Sequence, residues 1–386
     1  MTDMNKRDFI KLASYTAIAG VGGLLVACGD DSKPASSSGA AASSGSAAAG
    51  TATAEPLKVG FVYIGPVGDG GWTYSHDLGR QHIESVFGGK IKTSYVESVK
   101  EGADAERVFR DLVDQGNKLI FGCTFGYMES ILRVAADNPD IYFEHCTGYQ
   151  TASNVRVYDH KLHEAAYQAG VTAAYLTKTK TLGFVGTYPI PEVLRNVNSF
   201  ALGARSVDPE IKVKVVWVNS WYNPTEEGNA ANALFNDGVD VILQNTDSSA
   251  VLQATAKAGR LGFGWDSDMS KYAPDAHLAS CVLNWGIYYE KSVNDVLGGN
   301  WKTESTRWGT KEGLVNFAHI SDKVTPEAKA RLEEVQAGLK EGSYNIFQGP
   351  LKDNTGVERL PAGQVADAAW EANVDFLVEG IDGKIL

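Results

Sequence analysis

Short apolar runs alternate with amphipathic stretches along most of the chain from residue 57 onward. Such brief runs are typical of parallel strands buried on both faces, and the stretches between them have helical periodicity. The first half is predicted to form strands at Leu57–Ile64, Ile91–Val96, Lys118–Phe121 and Ile141–Phe143, and helices at Tyr74–Phe87, Ala103–Gln115 and Tyr127–Ala136. Repeated alternation of strand and helix predicts a parallel sheet with helices on both faces.

The same alternation begins again at Thr181. The predicted strands there are Leu182–Val185, Val213–Val218, Val239–Gln244, Gly262–Trp265 and Ala279–Leu283, and the helices are Glu192–Ser206, Thr225–Phe235, Ser248–Ala258 and Trp285–Leu297. This restart predicts a second lobe of the same architecture. The tail that follows is too long for a single appendage, so the chain is expected to cross between lobes more than once. We assign residues 57–178 and about 280–300 to the first lobe, and 179–279 and about 301–386 to the second.

The N-terminal residues have the pattern of an export signal. A basic start is followed by the run Leu12–Ala27, which contains three glycines and is too short and loose for a stable membrane span. Residues 1–27 are therefore predicted to be a signal peptide that ends before Cys28. Residues 31–54 are almost entirely Ala, Ser, Gly and Thr, so residues 28–56 are predicted to be a flexible linker.

Composition narrows the classes of function. The chain has 386 residues and a formal charge of -12, which argues against nucleic acid as a partner because counterion release needs a basic face. Four cysteines in this length exclude a disulfide-built scaffold. Cys123 and Cys146 follow successive predicted strands, and their spacing leaves a disulfide open. We expect these two and Cys281 to be buried thiols.

The segments that follow the predicted strands carry the candidate chemistry, because ligands of parallel sheets bind beyond the carboxyl ends of the strands. Aromatic rings, amides and carboxylates fill these segments, while Lys and Arg are missing from them. A planar, uncharged solute that donates hydrogen bonds suits such a lining. The candidate ligand-binding residues are Asp69, Trp72, Tyr127, Trp221, Asn245, Asp247, Asp266, Asp268 and Trp285.

Other kinds of site fit the sequence less well. The glycines of residues 65–71 lack the lysine and the spacing of a phosphate-binding loop. His160 and His163, beside Asp159 and Glu164, suggest a metal, but a zinc site needs a third ligand and supporting contacts. We expect neither a metal nor another cofactor. Two alternatives stay open: a receptor for a sugar or another small polar solute, and a tethered nucleoside hydrolase that uses the aspartates.

Three sequence features resemble the BMP (basic membrane protein) family of bacterial lipoproteins. They are the lipobox-like Leu25–Cys28, the strand Val59–Val62 leading into Asp69–Trp72, and the strand end Trp265–Asp268. The resemblance covers about Leu57 to Leu386. It implies an α/β type I periplasmic-binding-protein fold, with two doubly wound parallel-sheet lobes joined by three crossovers. It also implies a solute-binding subunit of an ABC importer for purine nucleosides or related compounds, not an enzyme.

The resemblance further implies roles for the candidate residues. Asp69 accepts from the N–H groups of a base, Trp72 stacks on the purine, and Trp221 of the other lobe closes the sandwich. Asp266 and Asp268 face ribose hydroxyls.

This chain departs from the family pattern at Asn245–Ser248 and Asn284–Trp285, where added bulk favours a free purine base, with a nucleoside close behind. The other partners implied are the permease subunits and the membrane, reached through lipid on Cys28 at the periplasmic or extracytoplasmic face. Asn5–Lys11 resembles a twin-arginine signal with Lys6 in place of the first arginine, so the export route stays open.

Overall fold

The computed structural model describes residues 55–385. The predicted signal peptide, Cys28 and all but the last two residues of the predicted linker lie outside this range. Within it, no helix combines the length and apolar character needed to cross a lipid bilayer.

The described chain alternates strands and helices, as the apolar periodicity predicts. In chain order the strands are β1 (Leu57–Val62), β2 (Ile91–Val96), β3 (Leu119–Gly122), β4 (Tyr142–Cys146), β5 (Val155–His160), β6 (Thr181–Gly186), β7 (Lys212–Trp217), β8 (Val241–Asn245), β9 (Leu261–Asp266), β10 (His277–Leu283), β11 (Ser305–Trp308), β12 (Val315–Ala318), β13 (Leu351–Lys352), β14 (Glu358–Leu360) and β15 (Ile381–Asp382). The helices are α1 (Trp72–Phe87), α2 (Ala103–Asp114), α3 (Met128–Asp137), α4 (His163–Leu176), α5 (Pro191–Arg205), α6 (Pro224–Asn236), α7 (Ala250–Lys257), α8 (Trp285–Leu297), α9 (Pro326–Glu341) and α10 (Ala368–Ala372).

The first lobe is built on a six-stranded sheet in the order β2-β1-β3-β4-β5-β11. Its strand pairs are all parallel, and β1, β3 and β4 end in buried apolar or small residues. Phe61 of β1 and Phe121 of β3 stack with ring centroids 4.7 Å apart, which ties the central strands together on the face covered by α1 and α8.

The second lobe is built on a seven-stranded sheet in the order β15-β7-β6-β8-β9-β10-β12. Its pairs are parallel except for β12, which runs antiparallel to β10. Two parallel sheets in one chain confirm the predicted fold class. In each sheet the winding reverses, between β1 and β3 in the first lobe and between β6 and β8 in the second. Loops leaving such a point diverge and form a crevice.

The chain crosses between the lobes three times: after β5, after β10 and after β11. The element boundaries differ from the predicted lobe ranges. Helix α4 falls within the residues that the sequence assigns to the first lobe, but it packs on α5 of the second, where the backbones approach closely at Gly170 and Gly203. Strand β10 lies in the second sheet and β11 in the first, so the late segment of the first lobe runs from α8 to β11 rather than over 280–300.

A C-terminal segment, residues 346–385, covers one side of the second lobe. It contains the β13–β14 hairpin, α10 and β15, which adds to the sheet edge at β7. The buried side chain of Asn198 on α5 donates to the carbonyl of Phe376 and accepts from the amide of Val378, each at 2.9 Å. These two hydrogen bonds fix the segment to α5 through its backbone.

Candidate functional site

A small cavity lies between the lobes at the carboxyl ends of the strands. The first lobe contributes residues from the loops after β1, β3 and β4 and from the start of α1, and the second contributes residues from α5 and from the ends of β7, β8 and β9. The lining residues are Ile64, Trp72, Thr124, Phe125, Thr147, Glu192, Trp221, Asn245, Asp247, Trp265 and Asp266.

The two lobes touch beside this cavity. Gly70 forms an isolated antiparallel bridge with Ser248, and the Ser267 hydroxyl donates to the Gly70 carbonyl at 2.5 Å. Gly71 fits only because it lacks a side chain: a Cβ there would lie 2.4 Å from the carbonyl oxygen of Asp247. The structure is therefore a closed arrangement, in which the glycine loop of the first lobe is pressed against the second.

Trp72 presents an indole ring to the cavity from the first residue of α1. Its Nε1 donates to the Cys123 carbonyl at 2.8 Å. Its ring meets His76, His160 and Trp285 edge-on, at centroid distances of 4.6, 5.7 and 5.7 Å. Buried His76 in turn stacks on Trp285 at 4.5 Å. These contacts fix the orientation of the Trp72 ring, so little side-chain entropy remains to be lost on stacking.

Trp221 lines the cavity from the second lobe, just beyond β7. Its ring meets Tyr188 edge-on at 5.1 Å, and its carbonyl accepts from the amide of Asp247 at 3.1 Å. Each lobe thus supplies an indole to the same cavity.

The polar lining is acidic. Glu192, Asp247 and Asp266 line the cavity, and no lysine or arginine is among the described lining residues. Asp266 is 1% exposed, has φ of 62°, and neither of its carboxylate oxygens has a hydrogen-bond partner among the described residues. A buried polar group without a partner costs free energy, so this carboxyl group is available to a ligand that donates hydrogen bonds.

Burial shapes the protonation of these acids. It holds the pKa of Asp266 well above the ordinary value, and Asp69 and Glu192 raise that pKa further. Burial also raises the pKa of Asp247 well above the ordinary value, with Asp266 as the strongest charged neighbour. Removing charged carboxyls from water disfavours their ionised form. Donors on a bound ligand would favour that form again.

Asn245 lies at the end of β8 with its amide orientation fixed. Its Oδ1 accepts from the Nδ2 of buried Asn196 on α5, at 2.7 Å. Neighbouring Gln244 turns inward and donates to the carbonyl of Ser248 at 2.6 Å. These bonds order the loop that carries Asp247.

Asp69 is buried beside the cavity and is not among the lining residues. Its carboxylate accepts from the amides of Gly71, Thr73 and Tyr74 at 2.9, 2.9 and 3.0 Å. Burial raises its pKa to about 6, while these amides act in the opposite direction. The donors that the resemblance assigned to a base are here backbone amides at the start of α1, so Asp69 shapes the loop and caps the helix.

Three other sequence candidates also lie away from the lining. Tyr127 points into the first lobe's core, where its hydroxyl donates to the Val99 carbonyl at 2.6 Å. Asp268 is 39% exposed and lies 3.4 Å from the Nδ1 of His319. Trp285 is fully buried behind Trp72, so it supports the cavity wall without lining it.

The residues that sequence reasoning missed have identifiable signals. Thr124 and Phe125 belong to the same loop as Tyr127, whose ring is the more prominent candidate in the sequence. Thr147 was missed because β4 was predicted to end at Phe143, and Glu192 because it opens a helix. The rule that residues following a strand line the site finds Thr124, Phe125 and Thr147, and also Ile64 after β1. It does not find Glu192 on α5 or Trp265 within β9, which line the cavity as well.

The histidines and cysteines that the sequence offers for a metal site or a disulfide instead make contacts within the fold. The Nε2 of His160 lies 3.3 Å from Glu192, and His163 packs against Phe347 at 5.6 Å. Among the described residues, no group of three or more His, Cys, Asp or Glu is arranged to hold a metal ion. Cys123, Cys146 and Cys281 are buried free thiols.

The sequence model of the PnrA-like ABC transporter substrate-binding proteins, Bmp, matches residues 57–345. The chain belongs to this family. It is 46% identical to a purine-binding protein of Brucella abortus over 331 residues, which cover 86% of this chain and 94% of that one. It is 33% identical to a Haloferax volcanii protein assigned by name to glucose binding in an ABC transporter, over 87% and 83% of the two chains.

A solved structure of an ABC transporter solute-binding protein from Conexibacter woesei superposes with a TM-score of 0.63 at 18% identity. It covers 75% of this chain and 98% of that one. At this identity the match concerns the fold, and it agrees with the two-lobed architecture. This Bmp-family protein is thus an extracytoplasmic substrate-binding protein of an ABC transporter, a class that binds a small molecule and presents it to a permease.

Proposed function

We propose that this Bmp-family protein captures a purine, a free base first and a nucleoside second, between its lobes and delivers it to the permease of an ABC importer. The observation that carries the proposal is Asp266, a buried carboxyl group with two unpartnered oxygens in a cavity lined by two indoles. Purines combine a flat aromatic face with N–H donors at the edge, which is the chemistry that these groups complement.

Under this proposal, stacking and hydrogen bonding both contribute to the affinity for the ligand. Stacking of a base on an aromatic side chain contributes about 1–3 kcal/mol for each face. Asp266, Asp247 and Glu192 accept hydrogen bonds at the edge, and a ligand lacking the matching donors leaves them buried and unpaired. The lining offers no lysine or arginine to pair with a phosphate, so a nucleotide is a poor ligand.

Binding proceeds by closure of the lobes. A purine rests on Trp221 and the carboxyl groups of the second lobe, and the first lobe then brings Trp72 onto it. The contacts of Gly70 with Ser248 and Ser267 form in the same movement. Residues at the crossovers absorb the rotation, as in other hinged binding proteins. No bond of the ligand is made or broken.

The preference for a purine is supported by the Brucella abortus relative, which is named for purine binding. The Haloferax volcanii relative, named for glucose, favours the alternative of a sugar receptor. Carboxylates and tryptophans also suit sugar hydroxyls and sugar faces, so the two candidates call for a direct comparison.

Titration calorimetry with adenine, guanine, hypoxanthine, adenosine, inosine and glucose tests the proposal. Purines are expected to bind in the micromolar range or tighter, and glucose is not. Saturable binding of glucose with no response to any purine would overturn the proposal in favour of the sugar receptor. Incubation with inosine, followed by chromatography for free hypoxanthine, tests the hydrolase alternative, and no product is expected.

We further propose that the protein is held on the membrane through lipid on Cys28, after removal of residues 1–27. Two or more acyl chains give stable anchoring, at about 0.8 kcal/mol per buried methylene. Mass spectrometry of the N-terminal peptide from membranes is expected to show diacylglyceryl and acyl additions on Cys28. Cys28→Ser is expected to release the protein into the soluble fraction.

A further inference from the structure

Four charged side chains meet beside the interlobe crossovers that follow β5 and β11. Asp159 and Arg307 are the second-to-last residues of β5 and β11, and the two are paired neighbours in the first sheet. Arg195 lies on α5 and Glu371 on α10, both in the second lobe. We call these residues the interlobe quartet. It contains two carboxylates and two guanidinium groups, so its formal charges cancel.

The ion pairs of the quartet cross between the lobes. Arg307 of the first lobe pairs with the Glu371 carboxylate of the second. Arg195 of the second lobe lies 3.7 Å from Asp159 of the first. Arg195 also donates to the Glu371 carbonyl at 2.9 Å, which joins the two pairs into one network. Both side chains of the Arg307–Glu371 pair are 17% exposed, so solvent screens this pair less than a surface ion pair.

The quartet lies directly behind the cavity wall. Arg195 is one helical turn after Glu192, which lines the cavity from the same helix. Asp159 precedes His160, whose ring contacts both Glu192 and Trp72. A rotation of one lobe against the other therefore moves the quartet and the cavity wall together.

Glu371 belongs to the C-terminal segment, which lies beyond the residues matched by the family model. This segment is fixed to the second lobe by Asn198 and by β15, so Glu371 reaches the first lobe from a rigid base. The Glu371 carboxylate and the Arg307 guanidinium belong to different lobes, so a rotation of one lobe against the other changes the distance between them.

We propose that the C-terminal segment acts as a clasp, in which Glu371 pairs with Arg307 across the lobes to favour the closed state and slow ligand release. Glu371 and Arg307 are positioning residues under this proposal, because they act on the ligand only through the lobe arrangement. The proposal concerns closure itself and does not depend on which solute is bound.

The test compares Glu371→Gln with Glu379→Gln as a matched control. Glu379 lies in the same segment, but it pairs with Arg205 inside the second lobe. Lobe separation is followed by energy transfer between fluorophores on Asp104→Cys and Glu226→Cys, which are exposed positions of the two lobes, in a Cys28→Ser background. The remaining described cysteines are buried.

Without ligand, Glu371→Gln is expected to shift the distribution toward larger separations, while Glu379→Gln matches the parent. With adenine as probe, Glu371→Gln is expected to release ligand roughly tenfold faster in stopped flow, since removing one partner of a buried charge pair acts mainly on dissociation. Arg307→Gln should reproduce both effects, and the double variant should be no worse than either single variant.

Unchanged separations and release in Glu371→Gln, with only a lower melting temperature, would overturn the clasp and leave a static hinge contact. If Glu371→Gln does not fold, Arg307→Gln is judged by the same two outcomes. Failure of the parent protein to bind adenine would count against the proposed purine function alone, because the ligand-free separations still decide the clasp.

Discussion

Asp266 supplies the cavity with a buried carboxyl group that has no hydrogen-bond partner among the described residues. It sits at the end of β9 with a positive φ of 62°, a conformation that costs free energy for a non-glycine residue. That backbone turns a fully buried carboxyl group toward the cavity, where it finds no protein donor. Strain and an unsatisfied acid at the same residue are both costs to the ligand-free protein, and a donor ligand would relieve the second.

We predict that Asp266→Asn weakens purine binding by about 10- to 100-fold, because a charged acceptor contributes about 1.5–3 kcal/mol to a buried hydrogen bond. Asp268→Asn is the matched control: it removes an acid two residues away that is 39% exposed and outside the cavity. Calorimetry with adenine and guanine checks both variants. Equal losses in the two variants would mean that Asp266 has no direct contact with the ligand.

We predict a pH-dependent contribution of Asp69 to stability. Because burial raises its pKa from 3.8 to about 6, the folded state binds the proton more tightly than the unfolded chain. Its stabilisation is therefore complete below about pH 4 and is lost as the pH rises through about 6. Between these limits the change amounts to up to about 3 kcal/mol.

Urea unfolding of the parent and Asp69→Asn, at several values from about pH 4 to pH 7, measures this effect. The advantage of the parent over the variant should shrink as the pH rises. An advantage that grows with pH would show that the amides of Gly71, Thr73 and Tyr74 outweigh burial and keep the carboxylate charged.

At this scale the sequence predicts residue types better than residue roles. Trp72, Trp221, Asn245, Asp247 and Asp266 were proposed from their positions after strands, and each lines the cavity. Asp69 lies in the same loop as Trp72, but its carboxylate oxygens accept hydrogen bonds from backbone amides at the start of α1. Which of two neighbouring polar groups faces a ligand depends on local hydrogen bonds, and a linear pattern does not contain them.

Among the elements, predictability follows the strength of the periodic pattern. Ile91–Val96 and Trp285–Leu297 were predicted with the bounds that the structure has. Helix α4 was missed because it is buried almost all round, from His163 to Ala173, and so lacks a polar face. A helix without such a face gives no amphipathic signal. The short strands β11 to β15 were missed because they depend on pairing with distant segments.

Helix α4 packs on α5 at unusually short range, and this contact gives an element-scale prediction. A Cβ at Gly203 would lie 2.1 Å from the carbonyl oxygen of Tyr167. Gly203→Ala is therefore expected to force the helices apart and destabilise the protein by about 1–3 kcal/mol or more.

Gly228→Ala on α6 is the control, because a Cβ there meets nothing within 4 Å. It is expected to stabilise the protein by about 0.5–1 kcal/mol through helix propensity. Thermal unfolding of both variants by circular dichroism checks the pair. A neutral Gly203→Ala would mean that the two helices can separate without loss of packing.

For the whole molecule, the sequence predicts the architecture but leaves its boundaries open. The restart of the pattern at Thr181 was enough to infer two lobes of one kind. The places where the chain crosses were harder to infer, because α4 follows β5 along the chain yet packs on the other lobe. Lobe membership is a property of tertiary packing, and adjacent elements with similar apolar patterns do not reveal it.

Closure of the whole molecule depends on a glycine loop that has no room for a side chain. We predict that Gly71→Ala leaves the ligand-free protein folded but prevents full closure, because its Cβ would lie 2.4 Å from the carbonyl oxygen of Asp247 in the other lobe.

Gly68→Ala changes the same loop where a Cβ meets nothing within 4 Å, so it should behave as the parent. Small-angle scattering with and without adenine should show compaction in the parent and Gly68→Ala but little in Gly71→Ala, with at least roughly tenfold weaker binding in the latter because the closed-state contacts are lost. Full compaction and undiminished affinity in Gly71→Ala would contradict this, since it would mean that the lobes meet the ligand without the contact between Gly71 and Asp247.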